Sequence, residues 1–143
     1  MCEDARAFLE RYRRASESVR QKEEELDRVF EEVDSLQVSL DGMPHGTELS
    51  DVTAKRAVKL ADLGVDLQRE KAAADLVRRE VLEVIDQVPD PNSSRILYDR
   101  YIRTMSWSKI IDRENYSDRQ IYRYHRDGLM AVGEILKDVS ECQ

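Results

Sequence analysis

The chain has 143 residues, enough for one ordinary domain or for a small domain with an extended element. Charged residues make up 37% and aromatics 6%, with five glycines, three prolines and a formal net charge of -7. That profile fits long solvated helices better than a β-rich core, and no apolar run approaches the ~20 residues that cross a bilayer.

The start, "MCEDARAFLERYRR", lacks the continuous apolar stretch of a secretory signal, so a soluble chain without a membrane partner is expected. Phe8, Tyr12, Ala15, Val19, Lys22, Leu26, Val29, Val33, Leu36 and Leu40 then follow in alternating steps of four and three. This is the seam of a coiled-coil-like helix, with runs such as "QKEEELDR" on its solvated faces. Lys22 is the one charged residue on the seam, placed there to snorkel or to constrain register.

The period stops at "DGMPHGTELS", residues 41–50, whose two glycines and proline predict a loop. A second seam follows: Leu60, Leu63, Leu67, Glu70, Ala74, Val77, Val81, Val84 and Val88. Ala54, Ala57, Ala61 and Gly64 lie beside its start, where small residues permit close approach of a partner helix. Each helix spans about 35 residues, or roughly 50 Å at 1.5 Å per residue. Two helices of equal length around one loop predict a long antiparallel hairpin over residues 1–88. Periodicity does not say whether the seams close the hairpin on itself or meet a second copy, so a homo-oligomer stays open.

"VPDPNSS", residues 88–94, ends the second helix, because Pro89 and Pro91 forbid its continuation. Asp90 before Pro91 suits an N-cap and first helical position, so a new helix and a second domain, 89–143, begin there. Ile96, Leu97, Tyr101 and Ile102 give it an apolar side; "RTM" breaks it, and Ser106 caps a helix carrying Trp107, Ile110 and Ile111. In "DRENY" the chain turns at Asn115, which tolerates positive φ. Ser117 and Gln120 have capping-box spacing and start a third helix running to about Val139.

On that helix Ile121, Tyr124, His125, Gly128, Leu129, Val132 and Leu136 share one side; Asp118, Arg119, Tyr122, Arg123 and Arg126 share the other. A capped third helix presenting arginines is the layout of a helix-turn-helix, whose recognition helix lies in the major groove. Residues 92–126 hold eight basic and four acidic side chains, a local +4 against -11 for the remainder. The acidic balance therefore belongs to the hairpin, and the basic segment suits nucleic acid. The candidate DNA-binding residues are Arg119, Tyr122 and Arg123 at the groove, with Asp118 beside them. Arg113 and Arg126 would meet phosphates, and Ser117 would set the helix start.

Trp107 reads as a packing anchor and His125 as a core histidine with a satisfied ring nitrogen. His45 and His125 share no ligand spacing with Cys2 and Cys142, so no metal site is expected. Those two thiols read as reduced unless the termini meet. No phosphate loop, carboxylate pair or nucleophile–base motif is visible, so neither enzyme activity nor a cofactor is expected.

"ILYDRYIRTMSWSKIIDRENYSDRQIYRYHRDGL" resembles the C-terminal part of an uncharacterised group of phage and prophage proteins from Gram-positive bacteria. The matching positions are Arg100, Tyr101, Ile102, Ser106, Trp107, Ile110, Tyr116, Ser117, Arg119, Tyr122, Arg123, His125 and Leu129. The chain departs from the pattern at Ile111 (usually alanine), Asn115 (usually glycine) and Gly128 (usually alanine). That group is similar to region four of bacterial sigma factors and to phage late-transcription regulators of the ArpU and RinA type. The resemblance implies an all-α protein whose tail binds double-stranded DNA, with RNA polymerase as a further partner, in the cytoplasm of a bacterial host. It leaves open a phage packaging module, similar to a terminase small subunit, or a polymerase-binding protein with weak DNA affinity.

Overall fold

The computed structural model describes residues 2–40 and 47–141, with side chains described at 4–34 and 51–140. Within these residues the chain is all-helical. The elements are α1 (Cys2–Leu40), α2 (Thr47–Asp86), α3 (Pro91–Leu97) with a π-helical turn (Tyr98–Ile102), α4 (Trp107–Glu114) and α5 (Asp118–Glu141). Of the loop expected at 41–50, residues 41–46 lie outside the described residues, while 47–50 already belong to α2. The turn formers Gly42, Pro44 and Gly46 all precede Thr47, so nothing in 47–50 resists a helix. The Cys2–Cys142 question and the side chains of Leu36 and Leu40 also lie outside the described residues.

By compactness the chain divides into Met1–Ala15 with Ala74–Gln143, and Ser16–Ala73. The turn after α2 comes where Pro89 and Pro91 place it, yet the first unit's core runs across residue 89. Ala5 and Leu9 of α1 and Val81, Val84, Ile85 and Val88 from the end of α2 are buried with Leu97, Tyr101, Ile102, Leu129 and Val132. α3, α4 and α5 therefore share their core with the ends of the two long helices. This also shifts the buried side of α1: Leu9 is fully buried, while Phe8 and Tyr12 pack at its margin. A second cluster, Ile96, Ile110 and Ile121, ties α3, α4 and α5 together.

In the unit Ser16–Ala73, Val29, Val33 and Leu67 are buried, and Val19, Leu26, Leu60 and Leu63 are half-buried. Lys22 meets Glu70 at 3.0 Å, so the polar interruptions of the two seams pair with each other. Ser18 donates to the same Glu70 carboxylate at 2.9 Å, and Lys71 pairs with Glu23 at 3.1 Å. Hydrogen bonds from Lys22 and then Ser18 hold the Glu70 carboxyl below its ordinary range. Ala54, Ala57 and Ala61, expected to admit a close helix, are instead exposed.

Candidate nucleic-acid interface

Local backbone chemistry sets α3, α4 and α5. Asp90 takes extended dihedrals and accepts from the Asn92 N–H at 3.1 Å, with Pro91 at the first helical position. Arg103 N–H donates to the Tyr98 carbonyl five residues back, the bond of a π turn, and Thr104 then reverses the chain at φ 56°. Ser106 Oγ accepts from the Lys109 N–H at 3.3 Å and starts α4; Asn115 ends it in the left-handed region, φ 57° and ψ 26°. Ser117 Oγ accepts from the Gln120 N–H at 3.2 Å. The Gln120 side chain turns to the Tyr124 hydroxyl at 3.1 Å, leaving the expected capping box half made.

α5 then has two faces. Ile121, His125, Gly128, Leu129 and Val132 are buried, whereas Asp118, Arg119, Tyr122, Arg123 and Arg126 are exposed. A Cβ on Gly128 would lie 2.9 Å from Leu97 Cδ1, so the glycine admits α3, while Ile111 packs beside the second cluster. Arg119 and Arg123 line a groove of about 300 Å³ with Ser117 and Gln120. Arg119 has no ion-pair partner among the described residues; the Arg123 guanidinium lies 5.6 Å from the Tyr124 ring and Arg126 is 3.8 Å from Asp127. Arg113 points at the Met105 sulfur, 3.9 Å away, from the last turn of α4.

Trp107 joins the exposed and the buried side of α5. Its indole meets Tyr122 at 5.3 Å and the edge of His125 at 4.7 Å, and the Arg100 guanidinium covers it at 4.6 Å. His125 shares a 2.7 Å hydrogen bond between Nε2 and the Tyr101 hydroxyl. Burial, reinforced by the positive charges of Arg6 and Arg100, brings its imidazole down to about 4.

Part of the local basic excess already has partners within the chain. Arg95 pairs with Glu114 at 3.3 Å, Arg103 lies 3.8 Å from Asp99, and the part-buried Arg100 donates to the Met105 carbonyl at 3.0 Å. Lys109, Arg113, Arg119, Arg123 and Arg126 are exposed, as are Arg95 and Arg103. Lys109 on α4 adds an exposed cation to those that the sequence pattern singles out. Arg6 and Arg13, which act electrostatically on His125 and Arg100, left no signal in a local charge count because they lie at the far end of the chain. Asp99 is buried with Oδ2 unpartnered, and burial followed by the neighbouring Asp99 raises the Glu114 carboxyl.

Among the described residues no cluster of three or more His, Cys, Asp or Glu is placed to hold a metal, and no helix is long and apolar enough to cross a membrane. Comparison with protein-family models, with curated proteins and with solved structures finds no match in any of the three.

Proposed function

We propose that the chain is a phage-derived DNA-binding transcriptional regulator. In this reading a long antiparallel helical hairpin carries a helix-turn-helix similar to sigma-factor region four, and α5 enters the major groove of double-stranded DNA. The observation that carries the reading is the exposed stripe Arg119, Tyr122, Arg123 and Arg126 on a helix begun by a capped tight turn. Arg119 and Arg123, at the first turns of α5, have the reach and donor geometry to take base edges or phosphates. Arg126, Arg113 and Lys109 suit phosphates on either side. The phage origin, the bacterial cytoplasm and the transcriptional role rest on the resemblance of residues 96–129.

A polymerase-binding protein with weak DNA affinity is the second reading. It is favoured by one observation: Arg95 and Arg103 lie against acidic partners and Arg100 donates to a backbone carbonyl, which lowers the unpaired charge of the cationic surface. Selection of bound duplexes from a random pool separates the two. A regulator enriches a defined site, and Arg119→Ala with Arg123→Ala abolishes retention at physiological salt while helicity is unchanged. Failure to enrich any site, with co-purification of polymerase, would favour the second reading.

A further inference from the structure

α2 carries a second apolar stripe on the outside of the unit Ser16–Ala73, and we propose that it joins two copies of the chain through antiparallel α2–α2 contact. Ala54, Val58, Ala61 and Val65 follow at steps of four, three and four, so they share one helix face. All four are exposed, Val58 at 61% and Val65 at 52%. The face is not the seam, since Leu67 is buried and Glu70 meets Lys22 on a different side of the same helix. Gly64 lies beside the stripe, and a Cβ there would meet nothing within 4 Å. Among the described residues no neighbour requires that glycine, although mid-helix glycine costs roughly 0.5–1 kcal/mol relative to alanine.

Charge identifies the occupant as a second copy and sets its direction. One flank of the stripe reads Lys55, Lys59, Asp62, Asp66, positive then negative along the helix. All four are exposed and none has an ion-pair partner among the described residues. Against an antiparallel copy Lys55 faces Asp66 of the second copy and Lys59 faces its Asp62, each pair occurring twice about the two-fold axis. A register about 3 Å away along the axis, an offset the long lysine side chains span, sets Ala54 opposite Val65 and Val58 opposite Ala61, a small side chain against a larger one at each layer. A parallel copy would oppose this flank to the uncharged side bearing Ala57 and Gly64. The contact covers about four turns of helix, so its affinity belongs in the micromolar range. The proposal does not depend on the DNA-binding reading.

Sedimentation of the full chain at about 100 µM, well above such a dissociation constant, tests it. The wild type is expected at twice the single-chain mass. Lys55→Glu with Lys59→Glu, and separately Asp62→Lys with Asp66→Lys, each set like charges together and should be monomeric with unchanged circular dichroism. An equimolar mixture of the two variants should recover the dimer, because each supplies the charge the other lacks. Val58→Asp with Val65→Asp should also be monomeric and fully helical. A monomeric wild type, charge variants that dimerise alone, aspartate variants that still dimerise, or a mixture that stays monomeric would each overturn the proposal.

Discussion

His125 is the residue whose protonation the fold resists most visibly. Its imidazole titrates near 4 in the folded chain, against an ordinary value of 6.5. The unfolded chain therefore binds the proton first as pH falls, and the stability gained from a neutral His125 is complete above 6.5. It is lost between about 6.5 and 4, to the extent of ~3 kcal/mol. Urea melts of the wild type should weaken across that interval, and His125→Gln should flatten the dependence. Asn115 gives a second residue-scale prediction: its left-handed φ makes Asn115→Ala cost about 1 kcal/mol, while Asn115→Gly is tolerated. Gly128→Val should cost about 2 kcal/mol or more, since even a Cβ meets the buried Leu97 at 2.9 Å. Ser106, Asn115 and Ser117 were legible in the sequence because caps and turns act within three or four residues. The destination of Arg103 was not, because its partner Asp99 is recognisable only once the π turn has buried that carboxylate.

At the scale of the elements, alternating steps of three and four marked both long helices and their apolar seams. The seams' two polar interruptions, Lys22 and Glu70, lie 48 residues apart in sequence and meet at 3.0 Å. Both side chains are 32% exposed, so the pair contributes little stability and acts as a register device. Replacing both by leucine should raise the melting temperature, and cysteine cross-linking between α1 and α2 should then report more than one register. Leu9 was invisible to periodicity because its partners arrive from the end of α2 and from beyond residue 89. The second stripe on α2 was legible only as a run of small residues. That Val58 and Val65 stay exposed depends on which side of the helix α1 covers.

For the molecule as a whole, the charge partition was readable from composition, but its deployment was not. Part of the +4 in residues 92–126 is taken up by contacts that Arg95, Arg100 and Arg103 make within the chain. The turn at Pro89 separates two helices and is not the edge of a core, because Ala5, Leu9, Val81, Val84 and Ile85 are buried with the C-terminal helices. A fragment starting at 89 should therefore give little cooperative unfolding, in contrast to the full chain. The most direct test of the DNA-binding reading is the salt dependence of affinity for the selected duplex. The wild type should lose affinity steeply as salt rises, and removing Arg119 and Arg123 together should lower the slope of log K against log salt by about 2. An unchanged slope and unchanged low-salt affinity in that variant would contradict the assignment of DNA to α5.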